Sequence, residues 1–308
     1  MITKFGKRFL ASQMAGVNSF AGRELALGIG STAVNANGND TKLEFEFYRM
    51  PVLLSSFDVV QTGVDGSGNP VFEYNVVYSS TIPQDVSGVV SEIGLYPGGR
   101  TSFNNFDSKF ISSFTNNFNW FDGSSNPPLQ SNTQDNSGAY TFLSKIDDSM
   151  IRVNASSGTT KEYINSLESY DISGYSINDT ISIAYKKSDN NVSNIRVKFY
   201  SSASAYYYVD FTPASGSGDR IQSLSLNNLF SNYTASPNLP DPSSITKIGV
   251  AVTATGGSTI VYLDGIRIND EDTFDPSYGM ISRSVLSTPL IKKPGRPVDI
   301  EYKLLLEF

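Results

Sequence analysis

The chain contains no cysteine and no histidine in 308 residues. Without cysteine there is no disulfide framework, no thiolate metal site and no cysteine nucleophile. Without histidine the usual general base, the commonest metal ligand and the side chain that titrates near neutrality are all gone. Zinc catalysis and Ser-His-Asp chemistry are excluded with them. Tryptophan occurs once, at Trp120. Positive charge is in deficit: 23 Lys and Arg against 30 Asp and Glu leave a net charge of -7, with the cations scattered. An acidic chain without a basic face implies no nucleic-acid partner. No run of about 18 apolar residues occurs, so no membrane insertion is expected.

What the chain does have is Ser, Asn, Tyr, Phe and Gly in quantity, and period-two alternation. Only the start differs. Ile2, Phe5, Phe9 and Leu10, with Met14 and Val17, form a helical stripe, and the apolar run at 9–11 is too short for a cleaved leader. A short N-terminal helix is predicted there. Phe45 and Phe47 alternate with Glu44, Glu46 and Tyr48, and Phe72, Tyr74, Val76 and Tyr78 alternate in their turn, so both read as half-buried strands. Pro51 reads as a strand end or an edge. A third run, 89–96, stops hard at Pro97-Gly98-Gly99. Gly28-Ile29-Gly30 lacks the third glycine and the following helix of a phosphate cradle, and reads as a turn. Residues 65–70 have the polar spacing of a calcium loop but are too short and lack its closing Glu.

After Pro97 the composition changes, and the opening style returns near Pro276. The predicted organisation is therefore a discontinuous host domain, residues 1–97 and 274–308, interrupted by an insert at 98–273. The insert offers about nine short strands separated by turn clusters, which is the pattern of a two-sheet sandwich. Its last two runs, 245–253 and 259–268, read as a hairpin burying Val250, Val252, Val261 and Leu263. In the closing region Val298, Ile300 and Tyr302 alternate with charges before Leu304, Leu305 and Leu306. This last strand is expected to pair beside residues 43–52. The fold class is all-β: a discontinuous β-sandwich host domain with a short N-terminal helix and an inserted jelly-roll β-sandwich.

Two resemblances accompany this reading. Ala26-Leu27-Gly28, the strand from Glu46 to Arg49, and Glu92-Ile93-Gly94-Leu95-Tyr96 together resemble the N-terminal domain of bacteriophage tail-collar fibre and related virion proteins. That resemblance covers about the first hundred residues and implies a structural role in a virion. The insert, ending on Tyr262-Leu263-Asp264-Gly265-Ile266, resembles the galactose-binding-like jelly rolls of many carbohydrate-binding modules. It implies sugar binding, and a structural calcium for which Asp107 and Asp264 would be the hard-oxygen ligands. No other cofactor is required.

Three sets of residues are the candidates for function. Trp120, between Asn119 and Asp122 in a predicted loop, and Tyr206, Tyr207 and Tyr208 on a strand are the aromatic glycan platform, against core packing as the plainer reading. Ile2, Phe5, Phe9, Leu304, Leu305 and Leu306 are the assembly contacts. A catalytic site is not expected, since glycoside hydrolysis needs two positioned carboxylates and no pair stands out. The function expected is a structural component of a tailed-bacteriophage virion, in the tail, baseplate or fibre-attachment region. Its partners are other virion proteins, copies of itself in a symmetric array and host-surface polysaccharide, with an outward jelly roll that either contacts that polysaccharide weakly or only spaces and stabilises the particle. A capsid decoration protein or head fibre, and a polysaccharide-binding module or depolymerase, are the alternatives.

Overall fold

The structure, a computed structural model, describes residues 1–14, 23–97, 109–134, 140–141, 144–166, 170–235, 237–269 and 279–307. The chain divides into two compact units, residues 1–101 with 273–308 and residues 102–272.

The outer unit opens with α1 (Lys4–Met14). Thr3 caps it, its hydroxyl accepting the Gly6 N–H at 2.9 Å. Phe5 and Phe9 stack one turn apart, ring centroids 6.1 Å from each other. Four strands follow: β1 (Arg23–Gly28), β2 (Glu46–Val64), β3 (Pro70–Ile82) and β4 (Gly88–Pro97). β2 does not stop at Pro51. Residues up to Val52 pair with β1, and the ladder to β3 starts at Leu53, so the proline sits where the strand changes partners.

The insert contributes β5 (Lys109–Ser112), β6 (Trp120–Phe121), β7 (Leu129–Ser131), β8 (Thr133–Gln134), β9 (Tyr140–Thr141), β10 (Ser149–Ala155), β11 (Thr160–Asn165), β12 (Thr180–Lys187), β13 (Val192–Tyr200), β14 (Tyr206–Phe211) and β15 (Gly218–Ser225). The short helix α2 (Asn227–Phe230), β16 (Tyr233–Thr234), β17 (Lys247–Ala254) and β18 (Thr259–Asn269) complete it. One sheet runs β15-β12-β18-β10-β7, with β5 also paired to β18. The other runs β16-β14-β13-β17-β11-β6. Ile181, Ile183, Val261, Leu263 and Ile266 of the first meet Ile195, Val197, Phe199, Val209, Val250 and Val252 of the second in one core. The insert is a β-sandwich.

The predicted hairpin of β17 and β18 is not one. β17 pairs with β13 and β11, and β18 with β12, β10 and β5, so the turn between them crosses from sheet to sheet. Val250, Val252, Val261 and Leu263 are all buried, but from the two opposite sheets.

The chain returns to the outer unit with β19 (Ser282–Lys292) and β20 (Val298–Glu307). The sheet order there is β19-β4-β1-β2-β3-β20. The last strand lies along β3, from Val298 opposite Ile82 to Glu307 opposite Glu73, and not beside residues 43–52 as expected. β1 already occupies the edge of β2 there, while Tyr302 and Leu304 find Tyr78 and Val76 on β3. Among the described residues no helix is long and apolar enough to cross a membrane.

Candidate functional site

Parity along β14 sorts the candidate tyrosines. Val209 and Phe211 are fully buried, and Tyr207 shares their side of the strand. It packs edge-on to Phe230 at 5.6 Å between centroids, and its hydroxyl donates to the Pro240 carbonyl at 2.8 Å. Tyr207 is half-buried and packs against the sandwich core, on the opposite side of β14 from Tyr206 and Tyr208, and its place on a glycan platform is corrected accordingly.

Trp120 needs the same correction. It is 2% exposed, 4.8 Å from the Phe114 ring between centroids, and joins the sandwich core. The polar neighbours that suggested an open loop close a turn instead: Asp122 accepts the N–H groups of Ser124 and Ser125 at 2.8 and 2.6 Å. Asn126 donates to the Trp120 carbonyl.

Tyr206 and Tyr208 face outward and are half-buried. Beside them on β13, Arg196, Lys198 and Tyr200 share that face by the same alternation. The rings form a chain, Tyr200 to Tyr206 at 4.8 Å and Tyr206 to Tyr208 at 6.1 Å between centroids. The Arg196 guanidinium lies 4.0 Å from the centre of Tyr208, and the Lys198 ammonium 5.0 Å from that of Tyr206. Asp210 binds Arg196 with two bonds of 2.7 Å and accepts from Asn194 at 2.6 Å. Burial opposes ionisation of Asp210, but the Arg196 and Asn194 hydrogen bonds outweigh it and hold its pKa below the ordinary carboxylate value.

Small residues on β17 leave room for side chains from both neighbouring strands to meet across it. Glu162 reaches from β11 to Lys198 at 2.8 Å and to the Tyr200 hydroxyl at 2.7 Å. A Cβ on Gly249 would lie 2.6 Å from Glu162 Oε1 and 3.0 Å from the Tyr200 ring. Ala251 sits between Arg196 and Glu162 in register. The result is a platform of two half-buried rings bordered by alternating cations and carboxylates. Such a surface can stack on the apolar face of a sugar and hydrogen-bond its hydroxyls. Arg196, Lys198, Tyr200, Glu162 and Asp210 were not among the sequence candidates. The alternation of NIRVKFY against YYYVDF held the signal, since it places Arg196, Lys198, Tyr206 and Tyr208 on one side.

Asp264 lies in β18 with both carboxylate oxygens occupied, one by the Ser144 hydroxyl and one by the Lys145 N–H at 2.7 Å. Burial pushes its pKa up to about 7. Asp107, its expected calcium co-ligand, lies outside the described residues. Among the described residues no group of three or more acidic side chains is placed to hold a metal.

The expected assembly contacts divide. Phe9 and Leu304 are buried in the outer unit's own core, and Ile2 and Phe5 pack against it, so these four serve the fold of their own chain. Leu305, on the opposite side of β20 from Leu304, is exposed, and the side chain of Leu306 lies outside the described residues. The Gly28-Ile29-Gly30 turn seats a carboxylate that belongs to the chain itself. Glu92 accepts the N–H groups of Gly30, Glu44 and Phe45 at 3.0–3.1 Å, and a Cβ on either glycine would lie 2.5 Å from its Oε1.

No family model matches the chain, and no curated protein matches it by sequence. Among solved structures the chain is similar to a family 11 carbohydrate-binding module from a cellulosomal cellulase of Clostridium thermocellum, at 14% identity and a TM-score of 0.34, over 53% of this chain and 94% of that one. It is also similar to the K2 cleaved adhesin domain of Lys-gingipain, at 13% identity and a TM-score of 0.30, over 53% of this chain and 99% of the other. A third similarity is to the enzymatically active domain of tailspike protein 4 of bacteriophage CBA120, at 11% identity and a TM-score of 0.29, over 54% of this chain and 21% of that one.

Proposed function

We propose that this protein is a structural component of a tailed-bacteriophage virion, in the tail, baseplate or fibre-attachment region, whose inserted sandwich binds host-surface polysaccharide weakly and without hydrolysis. The observation that carries the binding role is the outward face where Tyr206 and Tyr208 lie among Arg196, Lys198, Glu162 and Asp210. Each ring stacked on a sugar contributes on the order of 1 kcal/mol beyond area burial. Repetition in a symmetric particle raises such contacts by roughly 10²–10⁴-fold through avidity. Arg196 and Asn194 hold the Asp210 carboxyl below its ordinary value despite burial, the opposite of the shift a general acid needs.

The virion role rests on the three segments that resemble tail-collar fibre proteins. Ala26 of the first lies between Arg49 and Gly94 of the other two in adjacent strands, so the three segments form one hydrogen-bonded sheet. The test is a glycan array probed with the multimerised full-length chain, beside the double variant Tyr206→Ala, Tyr208→Ala. Binding by the wild type that the double variant loses, with no reducing ends released, supports the reading. Release of reducing ends, or binding that ignores both tyrosines, overturns it. Placement of the chain in a particle reconstruction tests the virion role separately.

A further inference from the structure

The outer unit leaves a long apolar arm uncovered. Beyond Val52, β2 runs on for twelve residues, 53–64, paired only to β3 among the described strands. Leu53, Leu54, Phe57, Val59, Val60 and Val64 are each between 48% and 76% exposed. Alternation would normally hide half of such a strand, yet here both faces are open. An apolar strand of this length with one edge unpaired is a pairing and aggregation hazard unless something covers it. The arm is also one-signed in charge. Residues 53–79 carry Asp58, Asp65 and Glu73 and no lysine or arginine.

The opposite end of the same sheet carries the complement. β20 starts beside Ile82, the end of β3 remote from the arm's tip, and the Gly295 N–H ties the preceding turn to Gln84 at 2.8 Å. That turn exposes Lys293 and Arg296, neither with an acidic partner among the described residues, and beside them Ile291 is 51% exposed. β3 separates the two ends by 13 residues, about 40 Å at strand rise. One copy cannot bring its own tip to its own turn, but a second copy can.

We propose that the β2–β3 arm is a docking arm for a second copy of this chain, laid head to tail so that its apolar faces and acidic tip cover the Ile291, Lys293 and Arg296 turn of the next copy. Such a contact is heterologous, and repetition generates a ring or a filament. The arm lies in the outer unit and is independent of the tyrosine face of the insert.

The chain's lack of cysteine makes the test direct. Full-length Ser67→Cys, at the arm's tip, is mixed with full-length Pro297→Cys, at the turn, under mild oxidation. The expected product is the mixed disulfide dimer. Wild type sediments as an assembly larger than one chain at low salt, and association weakens as salt rises. Phe57→Asp weakens it at least about 10-fold, as does Lys293→Glu with Arg296→Glu. Circular dichroism confirms that these surface variants keep the fold. A monomer at all concentrations up to about 100 μM overturns the proposal, as it would if the arm served an unrelated protein. Ser67→Cys dimers without the mixed product, or association indifferent to Phe57→Asp and to the charge reversal, overturn it too.

Discussion

Glu92 and Arg283, 191 residues apart in sequence, form a buried ion pair at 2.8 Å. Glu92 lies on β4, where the chain leaves the outer unit, and Arg283 on β19, where it returns. Three backbone N–H groups complete the shell of the carboxylate, and Asp40 and the Thr32 carbonyl complete that of the guanidinium. A buried pair is not in itself a source of large stability, but removing one partner leaves the other charged and desolvated. Glu92→Ala is therefore expected to destabilise the outer unit by about 3–5 kcal/mol. Hydrogen exchange at β1 and β4 measures it, and protection equal to wild type would refute the structural role.

Trp120→Ala is expected to act on stability, by roughly 3–5 kcal/mol, because it empties a closed core position. Since Trp120 is the one tryptophan, its fluorescence reports on the insert alone. Its emission should resist acrylamide quenching in the folded protein and should not change when polysaccharide is added. Ready quenching would place the ring in solvent after all.

Tyr206→Ala and Tyr208→Ala are expected to leave the unfolding midpoint of the insert nearly unchanged, within about 1 kcal/mol each, because both rings sit on an open face. The loss should fall on glycan affinity. A Tyr207→Ala control should show the converse, with stability lost through its contacts to Phe230 and Pro240. If Tyr206→Ala unfolds the insert, the face is part of the core and not a platform.

Asp264 gives the insert a defined pH dependence. Burial raises its folded pKa to about 7, whereas the unfolded value is about 3.9. A raised carboxyl is neutral in the fold over that interval, so its contribution is fully present below about pH 4 and is lost as pH rises to about 7. Asp264→Asn should match wild type near pH 4 and exceed it above pH 7, by up to about 4 kcal/mol. Denaturant titrations across that range decide the matter, and parallel curves for the two proteins would exclude Asp264 as the source.

The all-β class and most of the long strands were legible because period-two alternation is a local property of the chain. β14 stands where the alternation of residues 206–211 placed it, and the stripe of Phe5 and Phe9 forms the predicted helix. Very short strands such as β6, β7 and β16 were not legible, since two or three residues carry no period. Nor was the continuity of β2 through Pro51, which depends on where one partner strand ends and the next begins.

Sequence by itself determined the lack of cysteine and histidine side chains, the β alternation and the sharing of a face by Tyr206 and Tyr208, for each depends on residue identity or on neighbours two positions apart. Only the tertiary structure decided which of the two faces of β14 met the core, and so made Tyr207 a packing residue and its neighbours a surface. Only the tertiary structure sent β17 and β18 to opposite sheets, laid β20 along β3 and brought Arg283 to Glu92. Strand pairing is selected by contacts between segments far apart in the chain, and the desolvation of a carboxylate or an indole depends on what those segments cover. No local pattern around Trp120 or Glu92 records it.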